Sequence, residues 1–280
     1  MPSVLITGAS SGFGLGVAVE LGRRGWSVYA GLRDPSRRAA LDLALAKSGV
    51  PAERVRVVPL DVTDRDAVDA AVATVLSETE GSLDAVLHNA GYTTAGFFED
   101  LPEADVRRLV ETNFFGTLAL TRALLPAMRA RGRGRIAVVS SNAVNVPHPM
   151  FSVYAATKWA LEGWCEALDA EVRPFGIDVL VLQPGAHRTE FSANVLPVCP
   201  DGSAYRALFD AAAPRMAWIG RHQREPQGAV RAIADALEAR RASFRVRLGA
   251  DDKIAAAVRA LLPYRVRARA VRWITGLHRT

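Results

Sequence analysis

Tyr154 and Lys158 are four positions apart in a helical pattern, so both side chains project from one face of a helix. A phenol ordinarily titrates near ~10, too high for efficient proton exchange at neutral pH. An adjacent ammonium stabilises the phenolate and lowers that value, which makes the pair a candidate general acid or base. Ser141 ends an apolar run thirteen residues before Tyr154, where its hydroxyl can hydrogen-bond a substrate oxygen. Ser140 is the alternative, and the spacing favours Ser141. A Tyr-x-x-x-Lys pair alone also occurs on plain solvated surfaces, so the reading depends on what surrounds it.

A second group of residues suits a nucleotide. Thr7-Gly8-Ala9-Ser10-Ser11-Gly12-Phe13-Gly14 follows the first apolar run and opens a helical one. Glycines there let the backbone turn sharply and approach a pyrophosphate, whose charge then faces the free N–H groups of the helix. The spacing is G-x-x-x-G-x-G rather than G-x-G-x-x-G. A tight turn would use the same glycines, and the position between strand and helix favours the nucleotide. At the end of the second apolar run, an acid would bond a free ribose 2′-hydroxyl. The chain has Leu32 there, followed by Arg33, whose guanidinium matches a 2′-phosphate in charge and fork geometry. NADP(H) is therefore expected over NAD(H), with Asp34 next door acting against it.

These residues need a frame. Short apolar runs at 4–7, 27–31, 55–59, 83–87, 135–139, 177–182 and 244–248 alternate with helical patterns at 14–24, 36–47, 64–79, 103–131, 152–173, 227–241 and 251–262. The helix at 103–131 is expected to break near Asn113. Such alternation predicts an α/β fold: a single Rossmann-like, doubly wound domain over residues 1–280 with about seven parallel strands. Residues 191–225, with Pro197, Pro200, Gly202 and Pro214, read as a long loop that covers the site. From 263 to 280 a basic amphipathic helix is expected. Val266, Ala270, Trp273, Ile274 and Leu277 share one face, and Arg265, Arg269 and Arg272 lie elsewhere. Packing of that stripe on its own domain is the first reading. Covering an active site, or weak contact with an anionic membrane surface, are the others.

Tyr92, Phe97, Phe98, Val144, Met150, Phe151, Leu196 and Phe209 offer an apolar wall, which favours a hydrophobic small molecule as substrate. Arg206, Arg215 and Arg221 leave an anionic substrate group open. His148, between two prolines, reads as an exposed loop histidine. His187 and Arg188 face either the nucleotide or solvent. Trp159, Trp164 and Cys165 read as core or subunit interface.

Composition narrows the class. The chain of 280 residues is half hydrophobic and 23% charged, which excludes disorder. Cys165 and Cys199 stand far apart with no metal-ligand spacing, so neither a disulfide framework nor a metal site is expected. With no signal-peptide pattern or membrane span, a cytoplasmic setting is expected. Arginine supplies 32 of the 35 basic side chains, and the spread of these residues along the chain argues against nucleic acid as a partner. After Asp252 there are basic residues and no acidic ones.

In order along the chain come the glycine run, Asp61-Val62, Asn89-Ala90-Gly91, Asn113, Ser141, Tyr154 to Lys158, and Pro184-Gly185 through Thr189. This succession resembles the short-chain dehydrogenase/reductase family. Residues 28–35 are also similar to the branch of 17-beta-hydroxysteroid and retinol dehydrogenases. The resemblance implies hydride exchange between a nicotinamide and a carbonyl or alcohol carbon. It implies Asn113, Ser141, Tyr154 and Lys158 as the catalytic set, with Tyr154 the acid or base. Lys158 would tune Tyr154 and hold the nicotinamide ribose, and Asn113 would hold a proton-relaying water. The nucleotide would lie on Gly8, Ser10, Ser11, Gly12, Phe13, Gly14 and Arg33. Asp61 and Val62 would border the adenine, Asn89 and Gly91 the adenosine side, and Thr189 the carboxamide or phosphates, with Ala90, Pro184 and Gly185 also in the cofactor set. A homodimer or homotetramer paired through the two long helices is implied as well. A non-catalytic NADP-sensing protein, and use of the same site for epimerisation or dehydration, are the alternatives.

Overall fold

Each apolar run forms a short strand, and the helix after it carries the chain back so that the next strand lies parallel. The computed structural model describes residues 1–193, 195 and 197–277. It begins with β1 (Ser3–Thr7), α1 (Gly12–Arg23), β2 (Ser27–Leu32), α2 (Ala39–Lys47), β3 (Val55–Pro59), α3 (Arg65–Glu78) and β4 (Ala85–His88). Next come β5 (Ala95–Gly96), α4 (Glu103–Val110), α5 (Gly116–Arg131), β6 (Gly134–Val139), α6 (Ser152–Val172) and β7 (Ile177–Gln183). The last third holds α7 (Glu190–Ala193), β8 (Pro197–Val198), α8 (Arg206–Arg221), α9 (Gln227–Glu238), β9 (Arg245–Arg247), α10 (Ala250–Leu261) and α11 (Tyr264–Thr275).

Seven strands pair in parallel in the order β3-β2-β1-β4-β6-β7-β9, the expected doubly wound sheet. β5 and β8 pair separately. Alternation along β1 builds both layers: Val4 and Ile6 pack with α1, α2 and α9, and Leu5 packs with α3, α5 and α6. From β1 the chain first steps outward through β2 and β3, then crosses back to β4 on the other side. A crevice opens where that order reverses, beyond the carboxyl ends of β1 and β4.

The expected break near Asn113 is a π turn, Glu111–Phe115, joining α4 to α5. One extra residue widens the helix there and turns Asn113 inward, where it is buried. The helix expected from residue 36 begins with a 3₁₀ turn, Pro35–Arg38, whose cap Asp34 accepts the Ser36 N–H, and continues as α2. The fourth strand starts at Ala85 rather than at residue 83.

Two expectations are corrected. Residues 191–225 are not a plain loop, because α8 occupies their middle. Leu208, Ala212, Met216 and Ile219 put a buried or half-buried stripe on it at helical spacing, and Pro214 is accommodated inside. The stripe of α11 is largely turned away from the domain, although the Arg215 guanidinium of α8 lies over the Trp273 ring at 5.9 Å. Val266, Ala270, Trp273 and Ile274 are exposed, while Val271 and Thr275, on the opposite side, turn inward. Leu277 alone of that stripe joins an apolar cluster, with Met150, Phe151, Phe209 and Ala212. Leu196 and residues 278–280 lie outside the described residues.

Candidate active site

The glycine run bridges β1 and α1 at the crevice. Gly8 has φ +67°, and a Cβ there would press on the Ala90 backbone; one at Gly14 would overlap the Gly8 carbonyl oxygen. Asn89 laces this turn to the end of β4. Its Nδ2 donates to the Thr7 and Gly8 carbonyls at 3.0 Å each, and Thr7 Oγ1 accepts the Asn89 and Ala90 N–H groups at 2.9 Å. The amino end of α1 is open to an anion: Ser11 makes no side-chain cap and no acid stands in the first turn. Ser10, Ser11, Gly12 and Phe13 line a cavity of about 850 Å³ that runs from there to Tyr154.

At one end of this cavity are the catalytic candidates. Ser141 follows β6, and its Oγ accepts the Ala143 N–H at 3.1 Å. Tyr154 lies in the first turn of α6, and Lys158 one turn further on. The Lys158 ammonium donates to the Val139 carbonyl at 2.8 Å and stands 5.7 Å from the centre of the Tyr154 ring. Burial pushes the Lys158 ammonium down to about 8. Burial also pushes the Tyr154 phenol up to about 12, with a Ser141 hydrogen bond acting the other way. This is opposite to the direction expected from the ammonium, because desolvation of the phenolate dominates.

Asn113 sits behind the wall rather than in it. Its Oδ1 accepts the Tyr92 N–H and its Nδ2 donates to the Tyr92 carbonyl, both at 3.0 Å, and to Thr157 Oγ1 at 3.2 Å. Asn113 Oδ1 and Lys158 Nζ both border Gly91. Gly14 likewise supports the cavity from below; the other expected site residues all line it.

The nucleotide-selecting end holds more than the sequence suggested. Leu32 is buried in the core, while Arg33 and Arg37 both line the cavity and neither makes an ion pair among the described residues. The 3₁₀ turn after β2 carries Arg37 onto the same cavity as Arg33, which residue spacing alone does not show. Asp34 is held below the usual carboxylate range, first by the Ser36 hydroxyl. Asp61 accepts from Thr63 N and Oγ1, and Asp61 and Val62 border the same cavity. Arg108 also reaches it.

A buried carboxylate missed by the sequence reading ties the frame together. Glu162 accepts Ser140 Oγ at 2.7 Å and Gln183 Nε2 at 2.6 Å, and pairs with Arg245 at 2.9 Å. It therefore clamps the ends of β6 and β7, just before Ser141 and Pro184, to β9. Its place among Leu161, Cys165 and Leu168 on the buried side of α6 was the available signal for a buried carboxylate, but not for its partners. On the far side, Gly185 abuts Asp251 and Asp252. Asp252 is fully buried, and burial, then the neighbouring Asp251, raise its carboxyl to about 7.

Thr189 and the expected Pro184 and Gly185 line the cavity, as does His187, whose ring meets Phe13 edge-on at 5.3 Å. Arg188 instead pairs with Glu225 in solvent at 3.1 Å. His148 is half-buried, a correction to its expected exposure, and burial lowers its imidazole. Of the apolar wall, Tyr92 lines the cavity, Val144 and Met150 are buried, and Phe98 is exposed. Phe191 also lines it, 5.7 Å from the Tyr154 ring. Trp164 and Cys165 join the core, and Trp159 is exposed. No cluster of metal-binding side chains occurs among the described residues. The open helix end, the close glycine turn and the two cavity-lining arginines fit a dinucleotide.

Comparison with known proteins agrees with this geometry. Residues 2–198 match the short chain dehydrogenase family. A 3-ketodihydrosphingosine reductase of Bacteroides thetaiotaomicron is 39% identical over 68% of this chain and 66% of its own. Human 17-beta-hydroxysteroid dehydrogenase type 1 is 38% identical over 69% and 59%, and human retinol dehydrogenase 8 is 36% identical over 69% and 61%. Among solved structures, a short-chain dehydrogenase of Streptomyces avermitilis aligns over 97% of this chain and 96% of its own, at TM-score 0.80 and 35% identity. One of Burkholderia cenocepacia in complex with NADP aligns over 96% of both, at TM-score 0.75 and 27% identity.

Proposed function

This chain belongs to the short-chain dehydrogenase family, and from that premise we propose an NADP(H)-dependent oxidoreductase acting on the carbonyl or secondary alcohol of a hydrophobic compound. The observation that carries the reading is Tyr154, overlooked by Lys158 and lining with Ser141 the end of a cavity that begins at the glycine turn. When bound, the nicotinamide cofactor supplies or accepts the hydride.

The chain's own groups handle binding and the proton. The first-turn N–H groups of α1 hold the pyrophosphate, and Arg33 with Arg37 holds the 2′-phosphate. Asp61 and Val62 border the adenine. Ser141 orients the substrate oxygen, and Tyr154 gives it a proton in reduction or takes one in oxidation. A phenol at about 12 is protonated at neutral pH, the form that reduction requires. Lys158, fixed on the Val139 carbonyl, stabilises the phenolate left behind and holds the ribose. Asn113 fixes the Tyr92 backbone and, beside Gly91 and Lys158, is placed to pass protons outward.

Tyr92 and Phe191 give the cavity apolar walls near Tyr154, which supports a lipophilic substrate. The relatives named for sphingoid, steroid and retinoid substrates support the same class. The test is nicotinamide absorbance with a panel of hydrophobic ketones and alcohols, each with NADPH or NADP and with NADH or NAD. Turnover is expected to prefer the phosphorylated cofactor and to fall by about 10²–10⁴-fold in Tyr154→Phe. Undiminished turnover in that variant would overturn the assignment of Tyr154.

A further inference from the structure

The excess positive charge of this protein resides in one place. Residues 253–280 carry Lys253 and six arginines without an acidic side chain, which leaves 28 cationic against 29 acidic side chains in residues 1–252. Half of the exposed large hydrophobic side chains among the described residues fall in the same stretch. On α10, Ile254, Val258 and Leu261 recur at helical spacing and face solvent, Leu261 at 80% exposure. On α11, Val266, Trp273 and Ile274 form a second exposed stripe, Trp273 at 60% with the Arg215 guanidinium 5.9 Å from its ring. Arg265, Arg269 and Arg272 follow one flank of that stripe, exposed and without an ion pair among the described residues. Buried Thr275 marks the opposite side, toward the protein.

An apolar stripe edged by arginines calls for a surface that is apolar within and negative at its boundary. A second copy seated on the same face would bring two patches of the same positive charge together, since a two-fold pair presents the same patch from both sides. We propose that α10 and α11 dock the protein on an anionic phospholipid surface. Their apolar stripes enter the boundary between headgroup and acyl chain, Trp273 lies at the interface, and the arginines meet lipid phosphates. This inference stands on exposure and charge alone and is independent of the proposed reaction.

The test is co-sedimentation of the full chain with phosphatidylcholine vesicles, with or without roughly 30% phosphatidylserine. The protein is expected to sediment with the anionic vesicles, to remain in solution with pure phosphatidylcholine, and to be released as salt is raised. Replacing Arg265, Arg269 and Arg272 together by glutamine should lower partitioning on the order of 100-fold, at about fivefold per arginine. A Val266→Glu/Ile274→Glu double variant should abolish it, with an unchanged melting temperature showing that the fold is intact. Absence of sedimentation, equal sedimentation with both vesicles, or indifference to the arginine changes overturns the proposal. A dimer in analytical ultracentrifugation that the double variant dissociates overturns it in favour of a second copy.

Discussion

Lys158 and Arg269 carry the same charge, and the fold treats them in opposite ways. Lys158 is buried at the end of the sheet, bonded to the Val139 carbonyl, in a region where Asn89, Asn113 and Glu162 each join separate elements through several hydrogen bonds. Arg269 stands in solvent on a helix held mainly through its other side and its end. At the sheet end, polar groups are desolvated and fixed, so small displacements are resisted from several directions. At the C-terminal helices, charge remains hydrated and available to a partner. The first arrangement suits proton transfer, which depends on geometry, and the second suits contact with an extended surface.

Lys158→Met tests the first region most severely. Turnover should fall by about 10³-fold, because the phenolate loses its cation, while the melting temperature is kept or raised. Burial already opposes the Lys158 charge, so an apolar chain of similar length fits at little expense. A loss of stability matching the loss of turnover would mean that Lys158 is chiefly structural. Glu162→Leu comes next. It strands Ser140, Gln183 and Arg245 together and should destabilise by about 3 kcal/mol, the lower end for a broken buried pair, because Arg245 keeps Glu166. Chemical denaturation measures this, and a change within ~0.5 kcal/mol would show that the clamp carries no weight.

A third effect, read against pH, is expected where the two regions meet. Asp252, at the start of α10, lies against Gly185 of the cavity wall, and its carboxyl is raised from 3.8 to about 7. The folded state therefore retains this proton while the unfolded chain has lost it. The associated stability is present below 3.8 and declines as pH rises through about 7. Asp252→Asn should flatten that decline, read as melting temperature against pH across the same window. An unaltered slope would show that another group is responsible.

The parts of the site legible in the sequence were those fixed by local geometry. Tyr154 and Lys158 share a helix face by spacing, and Gly8 to Gly14 joins a strand to a helix. Glu162 and its partners were not legible because Ser140, Gln183 and Arg245 meet it only once β6, β7 and β9 are side by side. Arg37 needed the 3₁₀ turn after Asp34 to reach the cavity. The prolines between 197 and 214 obscured α8, whose stripe has the ordinary helical spacing. In α11 the amphipathic pattern was correct and its orientation was not. Periodicity identifies an apolar face without saying what covers it.

The π turn at Glu111–Phe115 makes chain length itself informative. Removing any one residue there would let the ladder close as ordinary α-helix and rotate α4 by about 100° relative to α5. Asn113 would leave Tyr92 and Thr157 even if every remaining amino acid were unchanged. Surface loops absorb insertions and deletions, but this segment requires its residue count, and a sequence of otherwise suitable composition one residue shorter would misalign the wall of the site.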